Sequence, residues 1–245
     1  MNPYIAIIRD GHSDFLVLKH FVSAIFEHHH LIELTENDFL EFEHLNITNA
    51  LSKYISKAGK ENYALFSAPA KELRSELNTV LFTAYKKFSN EKGKTLCNQD
   101  VLILNADAEK VLGVKQNYFT DWAYAMNNTL WLAVEEFYHK MVENGYDYQQ
   151  LPLILPLILF PSSEILVAAC MHDFNKEDFR SFEAKPTLKQ KVYGTDNIPN
   201  ALESSILQET LALYVVPESL SSIYRELPEV RKFMQILAFA TFKTL

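Results

Sequence analysis

The feature that most constrains this chain is a set of short apolar runs separated by longer stretches with helical spacing. Tyr4 to Arg9 is almost wholly apolar and rich in β-branched residues, as a strand covered on both faces must be. Val101 to Leu104 has the same character, and so does Pro152 to Phe160. Phe39 to Ile47 alternates partly and reads as a less buried strand. Pro156 interrupts the last run and predicts an edge strand or a strand end, because proline cannot donate to a ladder.

Between these runs the period changes. Phe15, Leu18, Phe21, Val22, Ile25 and Phe26 recur at helical spacing, with Gly11 for a tight turn and Ser13 or Asp14 as cap. Long helices are predicted over Ala70–Asn90 and Thr120–Glu143, and a short one after Pro161-Ser-Ser-Glu164, with Ser162 or Ser163 as cap. A short helix is also predicted from Asn46 or Thr48 through Ile55. Alternating strand and helix over residues 1–172 argues for an α/β fold: a mostly parallel sheet of about four strands flanked by helices. After Asp173 the composition turns charged and polar, and then helical over Asn200–Tyr214, Pro217–Tyr224 and Pro228–Phe242. The expected organisation is an α/β domain over 1–172 and a helical C-terminal half, 173–245, packed on it.

The net charge of −8 argues against wrapping nucleic acid by bulk electrostatics, though a local basic patch can still bind it. No charged region followed by a long apolar one opens the chain, so no signal peptide is expected. Leu151 to Pro161 is the most apolar stretch, but its 11 residues include three prolines, too short for a bilayer. Two cysteines without a CxxC neighbour, Cys97 and Cys170, read as buried free thiols in a reducing cytoplasm.

Ligands of open α/β sheets collect at the carboxyl ends of the strands. Asp10 follows the first strand there, and Asp107 and Glu109 follow the third. Asp107 and Glu109 share a side if the strand continues through them, and Asn105 adds a neutral carbonyl oxygen. Hard oxygen ligands in this pattern suit Mg²⁺ or Mn²⁺. Glu164, just beyond the fourth strand, is a further ligand or a general base. The plainer alternative is that these acids cap helices and solvate loops.

Asp10-Gly-His-Ser-Asp14 after a buried strand resembles the Glu-Gly-x-(Ser/Thr)-Asp/Glu opening of Toprim domains, found in topoisomerases, primases and OLD-family nucleases. Asn105-Ala-Asp107 resembles their Asp-x-Asp motif. The whole chain resembles a family of poorly characterised bacterial Toprim-like proteins of about this length. Phe160-Pro-Ser-Ser-Glu-Ile165, Pro186-Thr-Leu-Lys-Gln-Lys191 and the segment from Pro217 to Phe233 look like its later motifs. The resemblance implies a Toprim-like fold and Mg²⁺-dependent nuclease chemistry on nucleic acid. Asp10 takes the general acid or base role, and Asp107 holds the metal with Glu109 and Asn105. Two departures are plain: aspartate stands for the first glutamate, and Asn105 for the first aspartate of the pair. They imply weaker metal binding and open a second expectation, a non-catalytic accessory protein working with an ATPase partner in phage defence.

His12 can meet phosphate or move a proton, or simply fill a loop; Lys185, Lys189 and Lys191 form a basic segment that can hold phosphate or be a solvated loop. His28-His29-His30 reads as a frayed helix end, because consecutive helical side chains point about 100° apart and cannot share one ion. The aromatics of the 118–138 region read as core rather than base-stacking surface, and Ser162 and Ser163 lack a nearby base.

Overall fold

The computed structural model describes residues 2–9, 11–43, 68–93, 95–107, 119–179, 184–195 and 200–242, with side chains at all of these except 43, 68–70, 106–107, 119–126 and 200–202. Four strands form one all-parallel sheet: β1 (Ile5–Arg9), β2 (Phe39–Glu43), β3 (Val101–Asp107) and β4 (Leu153–Leu159), in the order β2-β1-β3-β4. Helix α1 (His12–His30) follows β1, α2 (Ala68–Lys92) precedes β3, and α3 (Phe119–Glu143) joins β3 to β4. Helix α4 (Glu164–Ala168) follows β4, and the helical C-terminal half comprises α5 (Lys185–Tyr193), α6 (Asn200–Tyr214), α7 (Leu220–Glu226) and α8 (Arg231–Phe239). The predicted α/β class and mostly parallel sheet are thus present. The short helix expected from residue 46 or 48 lies outside the described residues.

Strand alternation sorts the core into two layers. Ile5, Ile7, Val101, Ile103, Leu155, Leu157 and Leu159 face α1 and the C-terminal helices. Ala6, Ile8, Leu102, Leu104, Ile154 and Ile158 face α2 and α3. Leu207, Leu211, Ile223, Phe233 and Leu237 belong to the same apolar cluster as α1, and Phe21 stacks on Phe233 at 5.8 Å. The helical half therefore shares one core with one face of the sheet.

Crossover handedness explains which helix covers which face. The chain steps from β1 to β2 in one direction, then returns past β1 to β3 and on to β4. Right-handed crossovers force the helices to change faces when the direction reverses. The reversal falls between the neighbours β1 and β3, the position where open α/β sheets leave a crevice at their carboxyl ends.

β4 is an edge strand, as Pro156 predicts. Leu153 donates its N–H to the Asp100 carbonyl at 2.8 Å, so the backbone groups of the odd residues bond inward and those of Ile154, Pro156 and Ile158 point outward along the open edge. Ile154 donates to Tyr138 Oη at 2.8 Å, and that hydroxyl donates to Pro152 O at 2.7 Å. Pro156 has no N–H. Ile158 donates to Asn127 Oδ1 at 3.1 Å and accepts from Asn127 Nδ2 at 3.3 Å. Burial pushes the Tyr138 phenol well up, against a smaller opposing effect of its hydrogen bond with Ile154, so it stays a donor at any working pH.

The histidine run is ordered rather than frayed. Helix α1 runs through His30, and Leu31 ends it in the left-handed region at φ 55°. His30 Nε2 lies 2.9 Å from Leu237 O, with the ring against Phe26 and Phe242. Residues 185–193, read as part of a polar connection, form α5 because Leu188 and Val192 bury one side of it. Cys97 and Cys170 are free but half-buried, not fully buried. Tyr138→Phe should strand the Ile154 N–H and Pro152 carbonyl together and lower stability by about 1–3 kcal/mol, read by urea unfolding.

Candidate functional site

At the carboxyl edge a row of polar side chains crosses the sheet on the α1 face. Of the two residues expected to cap α1, Ser13 and Asp14, neither holds the N-cap position, but Asp14 takes part in the capping. Gly11 occupies the N-cap position, and Asp14, three residues on, reaches back with Oδ2 to accept the Gly11 N–H at 2.8 Å. Its other oxygen, Oδ1, accepts from Ser163 Oγ at 2.5 Å. Asp14 is 4% exposed and Ser163 1%, so this is a buried charge-assisted bond. Ser163 therefore does not cap α4 but ties the turn after β4 to the turn after β1.

β1 and β4 are not neighbours, since β3 lies between them. Strands stand about 4.8 Å apart, so the Ser163–Asp14 bond passes over the end of β3. Asn105 sits in that end, level with Leu157 of β4, on the same side of the strand as Val101 and Ile103. It is 1% exposed, and its Oδ1 has no hydrogen-bond partner; Ser162 Oγ, also buried, has none either. Buried polar atoms without partners are uncommon in folded chains, and each can be met by a water or an ion; Asn78 Oδ1, on α2 and away from this edge, is a third. Asn105 Oδ1 is a hard neutral oxygen, the donor type that suits Mg²⁺ or Mn²⁺. Asp107, two residues on, closes the strand level with Leu159. Its side chain, together with Asp10 and Glu109, lies outside what the structure describes. Among the described residues no three His, Cys, Asp or Glu side chains gather as a metal group.

Glu164 is buried at 4% exposure, and Tyr193 Oη donates to its Oε1 at 3.1 Å. On the β2 side, Arg9 Nε donates to Glu41 Oε1 at 2.5 Å, and His12 Nδ1 lies 2.9 Å from the same oxygen. Burial pushes the Glu41 carboxyl up, but the hydrogen bonds from His12 and Arg9 together outweigh it and hold the carboxyl below its ordinary value. His12 thus sits at the carboxyl edge, half-exposed and paired with an acid.

The lysines are placed differently. Lys189 pairs with Glu203 at 3.4 Å, and Lys191 Nζ donates to His172 O at 3.1 Å and to Asp173 O at 3.4 Å. Both hold α5 to its neighbours within the fold. Sequence reasoning missed the roles of Ser163, Tyr193 and the Arg9–Glu41 pair. The spacing Gly11-x-x-Asp14 carries the reach-back signal for Asp14; nothing in sequence pairs Tyr193 with Glu164, 29 residues away.

No family model, curated protein or solved structure matches the chain. No described helix is long and apolar enough to cross a membrane.

Ser163→Ala should leave Asp14 short of one buried hydrogen bond and cost about 1–3 kcal/mol in urea unfolding. Glu41→Gln tests the second cluster. A carboxyl held below its ordinary value stabilises the fold above its unfolded pKa, and that contribution is lost as pH falls through the folded value. The stability gap between wild type and Glu41→Gln should be full near neutral pH and close in acid, below roughly pH 4.

Proposed function

We propose that this protein performs Mg²⁺- or Mn²⁺-dependent chemistry on nucleic-acid phosphodiesters, as a nuclease, at the carboxyl edge between β1 and β3. The observation that supports this most is Asn105. Its buried Oδ1 has no partner, beneath the bond between Ser163 and Asp14, at the crossover reversal of a parallel sheet. Asp107 with Glu109 and Asn105 would hold the ion. When bound, it would stabilise charge on the phosphodiester undergoing hydrolysis. Asp10 moves the proton, and Glu164 serves as general base toward the attacking water. Arg9 and His12 are the edge groups suited to a phosphate oxygen, once either lets go of Glu41. The resemblance to Toprim-like proteins supports the same reading, as does a chain with no described membrane-crossing helix, which fits a place in the cytoplasm.

A second reading has its own observation. Asn105 is neutral, and Asp14 and Glu164 are buried and already bonded to Ser163 and Tyr193. That arrangement suits a non-catalytic accessory protein that keeps the shape of the site, with an ATPase protein as its partner in defence against phage.

Incubation of the purified protein with plasmid and single-stranded DNA in Mg²⁺ and in Mn²⁺, beside Asp107→Ala, separates the two. Cutting by wild type and at least about tenfold less by the variant supports the nuclease. If neither metal supports cutting and titration calorimetry shows no heat of metal binding, the accessory reading stands instead.

A further inference from the structure

Helix α5 carries the lysine-rich segment, yet its last residue has the more informative contact. Tyr193 is buried, and its hydroxyl donates to Glu164 Oε1 at 3.1 Å. Burial first, and then the adjacent Glu164 carboxylate, push the phenol far above its ordinary value, so the hydroxyl remains a donor throughout the working pH range. The helix that carries it is fixed from several sides. Leu188 and Val192 are in the core, Lys189 pairs with Glu203 of α6, and Lys191 grips the carbonyls of His172 and Asp173, just past α4. Lys189 and Lys191 therefore help to set the place from which Tyr193 reaches Glu164.

A single donor on Oε1 restricts the rotation of the Glu164 side chain. Among the described residues it leaves Oε2 uncommitted. A general base needs this condition: one oxygen anchored, the other available, and a fixed approach. The anchor comes from the helical half, so that half would do more than cover the sheet.

We propose that Tyr193 is a positioning residue for Glu164, holding the carboxylate at the carboxyl edge of the sheet so that it can receive a proton there. The proposal rests on the nuclease reading given above.

The test compares wild type, Tyr193→Phe, Glu164→Gln and the double variant, using linear single-stranded and duplex DNA with Mg²⁺ or Mn²⁺. Thermal unfolding of each is followed in parallel. Tyr193→Phe keeps the ring in the core and removes one hydroxyl. The expected result is a fall in kcat of about tenfold with KM changed less than about twofold, and no further loss when the substitution is added to Glu164→Gln. Melting temperatures explain none of this if Tyr193→Phe remains folded at the assay temperature. Cleavage by Tyr193→Phe at the wild-type rate overturns the positioning role and leaves the nuclease reading intact. So does a loss that multiplies with that of Glu164→Gln, the mark of a residue that only supports the fold. Absence of cleavage by wild type overturns the nuclease reading and this proposal together. If Tyr193→Phe is unfolded, Tyr193→Trp and the Glu164→Gln background are compared by the same non-additivity, and additive losses again overturn the role.

Discussion

The hydrogen bond from Ser163 to Asp14 joins positions 149 residues apart across the end of a strand that belongs to neither. A carboxylate at 4% exposure would be costly to bury alone, and its acceptors are met by a hydroxyl and by the first free N–H of α1. That pairing fixes where α1 begins relative to β1 and where α4 begins relative to β4. Glu164 follows Ser163 directly, so its place is set by the same bond. Tyr193 then docks on Glu164, and with it α5. Asp14, Ser163, Glu164 and Tyr193 are therefore linked in series, in which each position depends on the one before.

The sheet supplies the reason these groups meet at all. Parallel strands deliver all their carboxyl ends to one side, and the reversal of travel between β1 and β3 leaves that junction uncovered by a crossover. Asn105 lies under it. The two core layers keep everything else apolar: below the edge, every residue of β1 from Ile5 to Ile8 is fully buried. Along β1, β3 and β4 polarity thus appears only toward the strand ends, while β2 carries Glu41 in its middle, level with Ile7.

Much of the architecture was legible in the sequence because it obeys periods. The β1 and β4 runs and the long helices are continuous patterns that reach the structure within about two residues at each end, while β3 runs three residues past Leu104, to Asp107. Pro156 announced an edge strand through a missing donor. Single contacts were less legible. Ser163 looked like a helix cap by its place before Glu164, but a buried carboxylate competes for the hydroxyl more strongly than a backbone N–H. For Lys189 and Lys191, charge in sequence does not reveal which carbonyl or acid lies across the gap. His28 to His30 looked frayed because the packing of Phe242 and Leu237 against His30 comes from more than 200 residues away.

The outer side of β4 has a consequence for how this protein meets copies of itself. Along that strand one amide is capped by a tyrosine, one position is proline and one peptide is clasped by an asparagine. A strand from another molecule would find no register of open donors there, whatever its side chains. The helix that covers the core thus also withdraws the donors that edge-to-edge pairing from this side would need, without any charged gatekeeper.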